Sequence, residues 1–148
     1  MTTLLVTGAA GFIGSNFVRT MRRVRPAVRI IAYDKLTYAG NLENHAGIEE
    51  ASVYRFQRGD ICDAGALETI FAGGISGVVN FAAESHVDRS ILGAQEFVRT
   101  NVVGVQVLLD LAKAHSVERF LQVSTDEVYG SLGPTGRSRS VRSSSVGR

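Results

Sequence analysis

Short apolar runs rich in β-branched residues alternate along this chain with stretches of helical periodicity. Thr3 to Val6 reads as a strand. Phe12 to Val24 reads as a helix, with Phe12, Ile13, Phe17, Met21 and Val24 toward one face. Val28 to Tyr33, after Pro26, predicts a second strand. A polar stretch with Gly40 and Gly47 follows and has room for a short helix. Ser52 to Gln57 predicts a third, more polar strand, and Ala64 to Phe71 a helix capped by Asp63. Val78 to Phe81 predicts a fourth strand, introduced by Gly73, Gly74 and Gly77. Gly93 to His115 predicts one long helix carrying Phe97, Val98, Asn101, Val105, Leu108, Leu109 and Ala112. Phe120 to Ser124 predicts a fifth strand.

Regular alternation of strand and helix implies an α/β fold with a doubly wound parallel sheet of the Rossmann type. The sheet is expected to have about five strands with flanking helices and right-handed crossovers. From Gly130 the periodicity vanishes, and Ser, Gly and Arg dominate. Residues 1–136 are therefore expected to form one domain and residues 137–148 a disordered Arg/Ser-rich tail.

Composition narrows the class. Of 148 residues, 45% are hydrophobic and 20% charged, as in ordinary globular proteins. No apolar run approaches a membrane span. The opening MTTLLVTGAAGFIG lacks the pattern of a secretory signal, and the lone Cys62 cannot form an internal disulfide. A cytoplasmic protein without a membrane partner is expected. The net charge of +2 is set by the tail: leaving out Arg137, Arg139, Arg142 and Arg148 turns it into −2. A basic tail can attract nucleic acid, but this one reads as a solvated extension, and no nucleic-acid partner is expected.

Candidate chemistry begins with Gly8, Gly11 and Gly14 in TGAAGFIG, between the first strand and the first helix. Glycines there permit a tight turn, close approach of backbone to a pyrophosphate, and close packing of helix on strand. The helix N-terminus offers free N–H groups to phosphates. Asp34 ends the second strand 20 residues after Gly14, where an acid can hold ribose hydroxyls. Its charge repels a 2′-phosphate, so NAD is expected over NADP, although Lys35 stands beside it. A strand-end turn is the bland alternative for Asp34. Asp60, after the third strand, could accept from an adenine amine with Ile61 against the ring; Gly59-Asp60 could equally be a plain turn.

The fourth strand runs into Phe81-Ala82-Ala83-Glu84-Ser85, at the sheet rim where such folds bind ligands. The following His86 reads as a structural loop histidine, and His45 and His115 lack neighbours at metal-ligand spacing, so no metal site is expected. The fifth strand leads into Ser124-Thr125-Asp126-Glu127. Adjacent carboxyls resist simultaneous ionisation and can divide into one acid and one base. That division suits an elimination, in which one group takes a proton and the other protonates a leaving hydroxyl. Two solvated loop acids are the alternative.

TGAAGFIGSNFV, YDKLTYAGNLEN, GDICD, NFAAESHVDRSI, FVRTNVVGVQVLLDLA and VSTDEVYGSLGPTG together resemble the extended short-chain dehydrogenase/reductase superfamily. Within it they are most similar to the nucleotide-sugar 4,6-dehydratases, above all the dTDP-glucose branch. AAESHVDRS and STDEVYG are the specific stretches, whereas the glycine loop marks only the superfamily. The resemblance implies dehydration of dTDP-glucose to its 4-keto-6-deoxy product. Hydride leaves sugar C4 for NAD, Glu127 removes the C5 proton while Asp126 protonates the departing C6 hydroxyl, and hydride returns to C6. Thr125 is implied to hydrogen-bond the C4 oxygen. Phe12, Ile13, Asp34, Lys35, Leu36 and Thr37 match NAD-contacting positions. So do Asp60, Ile61, Phe81, Ala82, Ala83, Glu84, Ser85 and Thr100, and Glu84 and Ser85 are also implied to approach the sugar. A homodimer is implied for complete members.

The family's Tyr-x-x-x-Lys element does not occur in this sequence, since four residues after Tyr129 stands Gly133. The chain is therefore expected to be the N-terminal portion of such an enzyme, inactive alone, with RSRSVRSSSVGR resembling translation in a shifted frame. The alternatives are a non-catalytic NAD-binding module, another nucleotide-sugar dehydratase or epimerase, and a nucleic-acid binder acting through the tail.

Overall fold

The computed structural model of the chain describes residues 1–48, 53–85 and 94–125. The expected tail 137–148 and the acid pair Asp126 and Glu127 lie outside the described residues. Five strands form one sheet: β1 (Thr3–Thr7), β2 (Arg29–Asp34), β3 (Tyr54–Arg58), β4 (Gly77–Asn80) and β5 (Arg119–Gln122). Their order is β3-β2-β1-β4-β5, and every pairing is parallel. Helices α1 (Phe12–Val24), α2 (Ala64–Phe71), α3 (Ala94–Val98) and α4 (Val105–Ala114) connect them. The doubly wound fold read from the alternation is the one found.

Alternation along each strand supplies both faces of the sheet. Leu5, Tyr33 and Val78 pack with Leu67, Ile70 and Phe71 of α2 and Leu108 and Ala112 of α4. Val6, Ile30, Ala32 and Val79 pack on the other side with Val18 of α1. The inner strands are buried on both faces and therefore read as continuous apolar runs. Strand β5 differs: Leu121 is 54% exposed, and among the described residues β5 pairs only with β4.

Helix α2 spans the expected residues, and the Asp63 carboxylate caps it by accepting from the Ala66 amide at 2.9 Å. Helix α1 has the expected ends but a rotated apolar face. Gly14, Ser15 and Val18 are buried, Phe17 and Met21 pack partly, and Phe12 is 82% exposed. The cause is steric. A Cβ on Gly14 would lie 2.2 Å from the Gly8 carbonyl, so small residues must face the strand, and Phe12 and Ile13 turn outward. Strands β4 and β5 start and end earlier than expected. The Phe81 amide still bonds the Thr7 carbonyl at 3.0 Å, but Phe81 already leaves the ladder.

The single long helix expected over 93–115 is two helices joined by a π-helical turn, Arg99–Gly104. Gly104 is buried there, and a Cβ on it would meet the Ile61 side chain at 2.5 Å. An extra residue in one turn rephases everything before it. The apolar residues on either side of the turn each keep a helical spacing, so a single shift of phase between them does not stand out as a break.

Candidate functional site

The carboxyl ends of β1, β2, β3 and β4 open onto a cleft of about 370 Å³, within the range of small-molecule sites. Its floor is the glycine loop. Gly8 has φ +63°, a left-handed conformation that glycine adopts without strain. Its position is also crowded, since a Cβ would fall 2.5 Å from the Ala82 amide nitrogen. Gly11 precedes α1 without a side-chain cap, so the first-turn amides of Phe12, Ile13 and Gly14 have no carbonyl partner within the helix. Such a terminus is suited to an anion.

Asp34 closes one wall. It is 9% exposed, and each carboxylate oxygen accepts one backbone amide. Oδ2 accepts from Ala10 at 2.8 Å and Oδ1 from Leu36 at 2.8 Å. Leu36 reaches this position with φ +58°, unusual for leucine. Each oxygen retains a second lone pair, so the carboxylate can still accept from ligand hydroxyls.

Asp60 forms the next wall. Lys35 Nζ lies 3.0 Å and Arg99 Nη2 3.5 Å from its Oδ2, and its Oδ1 accepts from the Cys62 amide at 3.0 Å. Burial pushes the Asp60 carboxyl upward, but the Cys62 amide and the Lys35 ammonium outweigh burial and hold it below its ordinary value. Tyr33, under this wall, is pushed up to about 12 by burial and then by Asp63 and Asp60, and its hydroxyl donates to the Asp60 carbonyl. Burial and then the Asp60 charge also raise the Cys62 thiol, which argues against a reactive thiolate.

The far side is the end of β4. Asn80 is fully buried and ties three strands together. It accepts from the Thr7 hydroxyl and donates to Gln122 Oε1 at 2.8 Å, and its Oδ1 also accepts from the Ala82 amide at 3.1 Å. Beyond it, Asn101 from the π turn grips the Glu84 backbone with two bonds of 2.8 Å. The Glu84 carboxylate accepts from the Tyr38 hydroxyl at 3.1 Å. The rephased turn thus brings Asn101 to Glu84 and Thr100 to the cleft.

Most of the residues expected from sequence meet around this one cavity. Gly8, Gly11, Phe12 and Ile13 line it from the loop and α1. Asp34, Lys35, Thr37, Asp60 and Ile61 line it from the ends of β2 and β3. Phe81, Ala82, Ala83, Glu84, Ser85 and Thr100 line it from the β4 side. Gly14 and Leu36 serve through backbone packing and the amide to Asp34. Thr125 is exposed beyond β5 and lies outside the lining, and Asp126 and Glu127 are outside the described residues. Sequence reading missed Tyr33, Ala39, Gly40 and Gly59 as lining residues. Gly59 is required sterically, because a Cβ there would meet the Tyr33 ring, a contact that only the fold brings about. Among the described residues no three His, Cys, Asp or Glu side chains cluster to hold a metal, and no helix is long and apolar enough to cross a membrane.

Comparison with known proteins agrees with this geometry. A family model described as GDP-mannose 4,6 dehydratase matches residues 5–141. A dTDP-glucose 4,6-dehydratase of Streptomyces griseus is 59% identical over 135 residues, covering 89% of this chain and 40% of that protein. The crystal structure of a dTDP-glucose 4,6-dehydratase from Streptomyces venezuelae with NAD bound superposes with a TM-score of 0.84 at 50% identity, covering 97% of this chain and 44% of the other. One from Bacillus anthracis in complex with NAD gives 0.83 at 44% identity, covering 94% and 42%. The chain spans about 40% of the length of the curated relatives it matches.

Proposed function

We propose, from the premise that this chain belongs to the GDP-mannose 4,6 dehydratase family, that its cleft holds NAD and forms the cofactor half of a nucleotide-sugar 4,6-dehydratase. The carrying observation is that Asp34, the first two residues of α1, Phe12 and Ile13, and the crowded Gly8 all line one cavity. These residues fit the cofactor. The α1 terminus takes the pyrophosphate, Asp34 accepts from the adenosine ribose, and Asp60 with Ile61 borders the adenine. The buried Asp34 carboxylate disfavours a 2′-phosphate. When bound, NAD supplies a hydride acceptor and donor.

On this reading the substrate is a nucleotide-activated hexose, with dTDP-glucose the leading candidate. Glu84 and Ser85 border its position, and Thr125 hydrogen-bonds the C4 oxygen. Asp126 acts as acid at the C6 hydroxyl and Glu127 as base at C5, giving a 4-keto-6-deoxy sugar. The complete protein works as a cytoplasmic homodimer. The Tyr-x-x-x-Lys element expected to deprotonate the C4 hydroxyl does not occur within these 148 residues, and the cleft by itself accounts for cofactor binding.

Product analysis tests the assignment. With dTDP-glucose and NAD, the chain alone should yield no 4-keto-6-deoxy product. A longer protein carrying this region should yield it and lose it on Asp126→Asn or Glu127→Gln. Full activity in both variants would overturn the roles given to the acid pair. A non-catalytic NAD-binding module, the second reading, predicts no product from the longer protein either.

A further inference from the structure

His45 lies in the polar stretch after the second strand, and sequence reading gave it no function. It ends a short 3-10 turn, Leu42–His45, and is 8% exposed. Its Nε2 lies 2.7 Å from the Ala9 carbonyl, inside the glycine loop, and its Nδ1 contacts the Tyr54 hydroxyl of β3. The Phe56 ring meets the imidazole edge-on at 5.6 Å. A carbonyl can only accept, so Nε2 carries the proton, and in the neutral ring Nδ1 accepts from Tyr54.

The bonded carbonyl belongs to the Ala9–Ala10 peptide. The amide of that same peptide is the Ala10 N–H, which donates to Asp34 Oδ2 at 2.8 Å. Carbonyl and amide point in opposite directions across a trans peptide. The plane is therefore held from both sides, by His45 at the oxygen and by Asp34 at the nitrogen. Asn44 Nδ2 and the Asn41 amide hold the next carbonyl, Ala10, at 2.8 and 3.1 Å. The 3-10 turn thus anchors the outer side of the loop whose inner side faces the cleft.

We propose that His45 is a positioning residue for the dinucleotide. It fixes the tilt of the Ala9–Ala10 peptide and, through it, the Asp34 carboxylate that receives the ribose. Hydrogen bonds in such a chain polarise one another, so the His45 donor strengthens the Ala10 N–H toward Asp34. This inference rests on the NAD reading of the cleft.

Isothermal titration of NAD into the full chain, well below its melting temperature, tests it. His45→Met keeps bulk but removes the donor, and should weaken binding about tenfold with unchanged stoichiometry. A merely structural loss would lower the binding-competent fraction and leave the dissociation constant unmoved. His45→Gln restores an N–H donor and should bind within about twofold of wild type. Wild-type affinity in His45→Met, or equal weakness in His45→Gln, overturns the proposal. Should His45→Met fail to fold, imidazole ¹⁵N shifts of the wild-type chain serve. The proposal requires the Nε2–H tautomer and a shift of that nitrogen as NAD saturates; the Nδ1–H tautomer or an unmoved resonance overturns it. Failure of the wild-type chain to bind NAD would instead overturn the cofactor reading itself.

Discussion

Asp34 Oδ2 accepts a hydrogen bond from the Ala10 amide at 2.8 Å, across 24 residues of sequence. The acid that meets the ribose in the proposed complex thus also holds the glycine loop in its shape. Asp34→Ala should therefore reduce both NAD affinity and stability, the latter by about 1–3 kcal/mol for one buried and one half-buried amide left without their acceptor. It should also narrow the preference for NAD over NADP. Melting temperature together with both dissociation constants checks this; lost affinity at unchanged stability would contradict the dual role.

Crowding rather than conformation alone governs Gly8. Gly8 and Gly47 both have positive φ, +63° and +78°, but a Cβ on Gly47 meets nothing within 4 Å. Gly47→Ala should cost about 1–2 kcal/mol from the left-handed backbone alone. Gly8→Ala should cost more, because its Cβ would strike the Ala82 backbone. Urea unfolding of the two variants measures the difference, and equal losses would contradict the close approach.

The phase of α4 can be read from adjacent leucines. Leu108 is fully buried, while Leu109 is 44% exposed. Leu108→Ala should destabilise by about 2–5 kcal/mol and Leu109→Ala by about 0.5 kcal/mol or less. A reversed order would mean that the π turn does not set the helix as described.

Asp60 gives a pH dependence. Its carboxyl is held below its ordinary value despite burial, by the Cys62 amide and Lys35. A lowered folded value means that its contribution is fully present above the unfolded value, about 4, and is lost as pH falls through the folded value. The stability difference between wild type and Asp60→Asn should therefore hold from neutral pH to about pH 4 and close below it. A difference that grew on acidification would contradict the assignment.

Much of this was legible in the sequence, for local reasons. Alternating apolar runs marked the five strands, and the glycine spacing with Asp34 marked the cleft, because strand period and turn chemistry are encoded by neighbours. The outward turn of Phe12 and Ile13 was not legible, since it depends on how closely Gly14 packs on the Gly8 carbonyl. Nor was the π turn, whose extra residue changes phase without changing composition. His45 was hidden for a third reason: its partner Ala9 is 36 residues away, and only the folded chain brings them together.

Titration of the chain with NAD and with NADP tests the central claim most directly. Saturable one-to-one binding of NAD is expected, with NADP weaker by at least about tenfold from the like charge of Asp34, and with the gap reduced in Asp34→Ala. No binding of NAD, or equal binding of NAD and NADP by the wild-type chain, would contradict it.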